Sequence, residues 1–164
     1  MFPVNCYVLW DDTKEAVVID PGCFYEEEKQ ALKKFILTNE LNVKHLLNTH
    51  LHLDHIFGNP FMLKEFGLSA EANKADEYWI DEAPKQSRMF GFQLQEEPVP
   101  LANTCMTEIS SLSDIPNWKQ YTCPDIHPAA WCTIAKKTTA CSPVTSCSKA
   151  ASAVLISQEA TSMN

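Results

Sequence analysis

Glycine is confined to the first 91 residues of this 164-residue chain: Gly22, Gly58, Gly67 and Gly91 are all there are. Glycine enters the left-handed region of backbone space at no steric cost, so a long stretch without it has few ways to build the tight turns of a compact β-rich domain. Other properties change along with it. Division after Asn103 leaves 17 acids and 9 bases (Lys plus Arg) in the first part against 4 and 4 in the second, so the whole formal charge of −8 belongs to the first. Five of the seven cysteines and nine of the eleven serines fall in the second. Two compositions have been joined, one over residues 1–103 and an atypical one over residues 104–164.

A chain of this length is expected to build one domain, and 45% apolar residues are enough to offset the entropy of ordering it. The acidic balance argues against a nucleic-acid or anionic-membrane partner, which would need a basic patch to release counterions. No run approaches the roughly 18 apolar residues that span a bilayer. Met1-Phe2-Pro3-Val4-Asn5 lacks the basic and apolar regions of a signal peptide, so the expected address is cytoplasmic. The cysteines, odd in number and without a C-x-x-C, read as free thiols. Cys6 and Cys23 read as small buried hydrophobes.

The first part has α/β patterning. Cys6–Trp10 and Ala16–Ile19 are β-prone runs joined by Asp11-Asp12-Thr13-Lys14, a hairpin, and Asp20-Pro21-Gly22 closes the second strand. Ala31, Leu32, Phe35 and Ile36 recur at helical spacing between Tyr25 and Thr38, behind a solvated acidic start at Glu26, Glu27 and Glu28. Val43 to Asn48 reads as a third strand and Pro60 to Phe66 as a helix ended by Gly67. A further helix runs from Asn73, its N-cap, towards Phe90, with a break at Pro84. Trp79, Phe90 and Phe92 read as core or lid packing, and His45 and His127 as satisfied or surface histidines.

After the third strand stands Thr49-His50-Leu51-His52-Leu53-Asp54-His55, four metal-ligating side chains within six positions. On extended backbone alternate residues share a face, so His50 and His52 offer imidazole nitrogens to one ion. A turn after them would present Asp54 and His55 from another direction, for a second ion. A carboxylate with an imidazole suits zinc or iron. Two ions a few ångströms apart can share a water, lower its pKa and polarise a carbonyl, which is hydrolytic chemistry. Gly58 lets backbone pass close to the cluster.

Thr-His-x-His-x-Asp-His resembles the signature of the metallo-β-lactamase superfamily. With Val4–Leu9, Val18–Gly22 and Leu47–His50 around it, the sequence resembles the glyoxalase II (hydroxyacylglutathione hydrolase) branch, especially its short bacterial members, over residues 2 to about 103. The resemblance implies an αββα sandwich of which residues 1–103 supply the N-terminal half. It also implies a binuclear zinc site, with iron as the alternative, and a metal-bound hydroxide that hydrolyses a small-molecule thioester such as a glutathione conjugate. By position, His50 and His52 would bind the first ion and Asp54 and His55 the second, with Asp54 also taken as the catalytic residue. The family further uses a third His for the first ion, a bridging Asp and a late His, in segments that this chain does not contain. Tyr121–Trp131 has the right place and the wrong residues.

The genetic code supplies a reason. If residues 121–128 are encoded TAC ACG TGC CCG GAC ATT CAC CCG, reading from the third base of the Tyr121 codon gives His-Val-Pro-Gly-His-Ser-Pro, with the missing His across Asp125 and Ile126. The same shift from Pro143 permits Gly-Asp-Val-Leu-Phe, with the missing Asp across Val144 and Thr145. One base lost near codon 103 therefore accounts for the tail as out-of-frame translation and for the chain as truncated in effect. Half a two-sheet core would then leave apolar sheet surface uncovered, and the chain would be a poor hydrolase, with His127, Asp114 and Asp125 as substitute ligands. Two alternatives are a persulfide dioxygenase-like iron oxidoreductase and a non-catalytic metal-binding fragment.

Overall fold

The structure, a computed structural model, describes residues 4–11, 13–102, 118–122, 131–135 and 151–157. The hairpin forms as the sequence indicates: β1 (Asn5–Asp11) and β2 (Glu15–Ile19) pair antiparallel, with Tyr7 opposite Ile19 and Trp10 opposite Ala16. α1 (Glu26–Thr38) then crosses over to β3 (Asn42–Leu47), which lies parallel to β2, the geometry that such a crossover serves. Glu28 does more than solvate the helix start. Its Oε2 accepts the backbone N–H groups of Phe24 at 2.8 Å and Tyr25 at 2.9 Å, satisfying donors that the helix leaves orphaned.

α2 (Leu53–Ile56) and α3 (Asn59–Phe66) come next, and Gly67 ends α3 in the left-handed region at φ 70°, its N–H bonded to Leu63 O at 3.0 Å. β4 (Ala70–Glu71) pairs parallel to β3. Asn73 does act as a cap, but of a separate 3-10 turn (Lys74–Asp76), accepting Ala75 N–H at 3.0 Å. α4 (Tyr78–Met89) runs straight through Pro84, contrary to the expected break. Ala83 packs in the cluster with Leu53 and Ile56 of α2, and buried Ser87 donates its Oγ hydrogen to Pro84 O at 3.0 Å, so both help hold the turn where one hydrogen bond is lost.

The tail contributes strands as well. β5 (Trp118–Thr122) and β6 (Trp131–Ala135) pair antiparallel, and β7 (Ala151–Ser157) pairs with β1 over seven residues, giving a sheet of order β4-β3-β2-β1-β7. One sheet face carries Cys6, Val8, Ala16, Val18 and Leu46 against Leu32 and Ile36 of α1 and Phe61 and Met62 of α3, all buried. The opposite face carries Val17, Ile19 and Leu47, with Tyr7 and Leu9 beside them. Half a sandwich is expected to leave this face uncovered. Val17 is instead fully buried and Ile19 and Leu47 nearly so, while Tyr7 and Leu9 on the same face are only partly buried. Among the described residues no helix is long and apolar enough to cross a membrane.

Candidate metal centre

The histidine motif begins where β3 ends, and its residues are held in place by the loop that ends β2. Asp20 adopts φ 49°, a left-handed conformation that aspartate tolerates better than most side chains, and its carboxylate is buried. It accepts Thr49 N–H at Oδ1 (2.8 Å) and the Thr49 hydroxyl at Oδ2 (2.6 Å). A hydroxyl has one proton, and an ionised carboxylate can only accept, so Thr49 Oγ1 faces His50 Nδ1, 3.1 Å away, as an acceptor. His50 therefore carries its proton on Nδ1 and keeps the Nε2 lone pair for an ion. Burial, and then the charge of His55, lowers the His50 pKa to about 4 against the pull of Asp20, so the ring is neutral at neutral pH.

His55 approaches the same Asp20 oxygen, its Nδ1 3.1 Å from Oδ2 but out of line for a hydrogen bond. Burial opposes its protonation, yet the Asp20 carboxylate, helped by Asp54, outweighs burial and raises its pKa above the usual histidine value. Asn48, buried, bonds His55 O through Nδ2 (3.0 Å) and accepts from Asn59 Nδ2 at Oδ1 (2.9 Å), which ties the motif to α3. Sequence reasoning missed Asp20, Thr49, Asn48 and Asn59 as supports. Asp20, Asn48 and Thr49 stand inside segments that carry the family resemblance, but nothing in the sequence pairs Asp20 with Thr49 or Asn48 with Asn59.

Two glycines permit the close packing. A Cβ on Gly22 would stand 2.6 Å from Asp54 O and 3.1 Å from Val4 Cβ. One on Gly58 would run into Pro21 O, the acceptor of the Gly58 N–H at 2.6 Å. The expectation that Gly58 allows a close backbone approach holds, and the neighbour is the Asp20–Gly22 loop.

The three imidazoles come together. Ring centroids of His50 and His52 are 4.7 Å apart and those of His50 and His55 3.9 Å, while Asp54 Oδ2 lies 3.9 Å from His55 Nε2. A tetrahedral ion with ligand bonds of about 2.0–2.2 Å holds two donors roughly 3.4 Å apart, so Asp54 and His55 are within about half an ångström of sharing one. The donor chemistry fits a divalent transition metal, and the closest of these rings are those of His50 and His55. Among the described residues no three His, Cys, Asp or Glu side chains converge on one ion position. His127, Asp114 and Asp125 lie outside the described residues. Trp79 packs its ring against His52 with centroids 4.8 Å apart and joins Phe92 in the cluster under α2. Phe90, which stands just past the last turn of α4, is 57% exposed and so is not a core residue. His45 is satisfied by Glu71, with Nδ1 and Oε1 2.7 Å apart, and Cys6 and Cys23 are buried thiols not joined in a disulfide.

A family model described as the metallo-beta-lactamase superfamily matches residues 1–123. The chain is 36% identical over 91 residues to hydroxyacylglutathione hydrolase GloC of Haemophilus influenzae, covering 55% of this chain and 41% of that protein. It is 34% identical over 77 residues to hydroxyacylglutathione hydrolase of Pelagibacter ubique, covering 46% and 30%. It thus spans less than half the length of these curated relatives. Among solved structures, the BLEG-1 B3 metallo-beta-lactamase superposes with a TM-score of 0.59 at 24% identity, over 80% of this chain and 62% of that one, a likeness of fold.

Proposed function

The chain belongs to the metallo-beta-lactamase superfamily, whose members bind metal ions, and from that premise we propose that it derives from a hydrolase of glutathione thioesters and works poorly in its present form. The observation that carries the reading is the relay from Asp20 through Thr49 to His50, which leaves a neutral ring with Nε2 free to bind an ion. His50 and His52 would hold one ion, Asp54 and His55 a second, with zinc as the first choice. When bound, such ions bring a water towards ionisation at neutral pH and polarise a carbonyl. The chain's own side chains orient the donors: Asp20 fixes Thr49 and stands beside His55, Asn48 holds the His55 carbonyl, and Trp79 shields one side of His52. The names of the two curated relatives support a thioester substrate, and the free thiols at Cys6 and Cys23 fit a cytoplasmic address.

The reading of residues 104–164 as out-of-frame translation accounts for the missing distal ligands. Loss of supporting partners alone costs about 10–100-fold in metal affinity or activity, so the loss of direct ligands is expected to lower turnover by more than about 100-fold. The test is a DNA read across codons 100–150, then S-lactoylglutathione hydrolysis and zinc content for the chain as it stands and with the frame restored. A missing base, and turnover only after restoration, is the expected result. An intact frame with ordinary enzymatic rates in the present chain would refute the impairment, and metal-loaded restored protein inert towards thioesters would refute the substrate class.

A further inference from the structure

Two aromatic side chains lead from His52 to solvent. The Trp79 ring meets that of His52 edge to face with centroids 4.8 Å apart, and the Tyr78 ring lies along Trp79, again at 4.8 Å, with 34° between their planes. Tyr78 is thus one ring removed from a proposed ligand of the first ion. The two aromatics are held differently. Trp79 packs in the apolar cluster with Leu53, Ile56 and Ala83, whereas Tyr78, the first residue of α4, is 49% exposed. A tyrosine has few torsions to immobilise, so a ring backed by Trp79 offers apolar contact area at little entropic cost. The charges that flank it along the chain restrict what it can contact. Lys74 is paired with Glu77 and Lys85 with Glu82, at 3.2 and 2.6 Å, and Asp81 adds another acid in the first turn of α4. An anionic group gains nothing beside this turn, while an uncharged ring gains an aromatic contact.

On the metal-hydrolase reading above, we propose that Tyr78, backed by Trp79, is a specificity-determining residue that takes an aromatic acyl group of a thioester whose carbonyl lies at the ion held by His52. The thiol side of a glutathione thioester is a peptide with two carboxylates, which the acidic turn disfavours, so the ring contacts the acyl side. A phenyl-bearing acyl group covers Tyr78, and a methyl-bearing one leaves it wet.

The experiment is titration of the zinc-loaded full chain with mandelate and lactate, followed by ligand NMR. Both hydroxy acids meet an ion through the same carboxylate and hydroxyl and differ in phenyl against methyl. Mandelate is expected to bind about threefold to tenfold tighter. Tyr78→Ala is expected to bring the two within about twofold while zinc affinity and Tm stay unchanged, and Tyr78→Phe is expected to keep the preference, since the ring and not the hydroxyl makes the contact. Equal binding of the two acids to the parent chain, a preference that persists in Tyr78→Ala, or a loss of zinc affinity in that variant would overturn the subsite and leave the metal reading standing. A chain that takes up no zinc would overturn the metal reading, and the subsite with it.

Discussion

Replacing Gly22 with alanine tests whether the loop after β2 sets the position of the proposed metal ligands. The new Cβ would lie 2.6 Å from Asp54 O, and real Cβ contacts essentially never fall below 3.0 Å, so the two backbones must part by at least about 0.4 Å. Val4 Cβ at 3.1 Å and Cγ1 at 3.3 Å close the opposite direction, so the shift falls on the Asp54 turn. Overpacking of this kind costs about 1–3 kcal/mol, while the stiffer unfolded chain returns about 0.4–1 kcal/mol. The net loss is about 1–2 kcal/mol, a fall in Tm of roughly 3–8 °C for a chain of this size. Gly67→Ala is the matched control: φ 70° makes alanine strained by about 1–2 kcal/mol, but no atom lies within 4 Å of the new Cβ and the site is at the far end of α3. Urea unfolding and competitive zinc titration are run on both variants. Similar stability losses are expected, with zinc weakened by about 10–100-fold in Gly22→Ala alone. Equal zinc affinity in the two variants would show that Gly22 acts on stability only and that its contact with Asp54 does not position the ligand.

Thr49→Val removes the hydroxyl between Asp20 and His50 at constant shape; it is expected to cost about 1–3 kcal/mol and to weaken zinc about tenfold or more, with Thr49→Ser restoring both, as read by denaturation and chelator competition. Pro84→Ala is expected to raise stability by about 1–2 kcal/mol in urea, since it returns an N–H to the middle of α4; no gain would mean that the proline itself is required. The Cys6 thiol is pushed well above its usual pKa, first by a hydrogen bond with Cys23 and then by burial, so Cys6 is not expected to alkylate in the folded chain at pH 8. Peptide mass spectrometry that found fast native modification of Cys6 would contradict this packing.

The elements legible in the sequence are those whose signal is local. The β1–β2 hairpin follows from two β-prone runs around a polar turn, α1 from four apolar residues at helical spacing, and the end of α3 from a glycine in a left-handed conformation that it adopts without strain. Pro84 misled because a local penalty of about 3 kcal/mol was outweighed by the packing of Ala83 and Ser87, which lies outside any sequence window. Phe90 misled in the other direction: an aromatic residue is legible, but how much of it water reaches depends on how α4 is docked.

The four proposed donors His50, His52, Asp54 and His55 are legible in the sequence alone, because no packing requirement gathers three imidazoles and a carboxylate at a strand end, and their residue types decide which ions would suit them. Tertiary structure decided their state. Asp20 is 29 residues from Thr49 and Pro21 is 37 from Gly58, and both contacts exist because β2 and β3 lie side by side, so that the segments following them meet. The proton on His50 Nδ1, the neutral ring and the pull of Asp20 on His55 all come from that adjacency. Electrostatic effects of this kind depend on distance through space and on burial, and neither is set until the sheet closes.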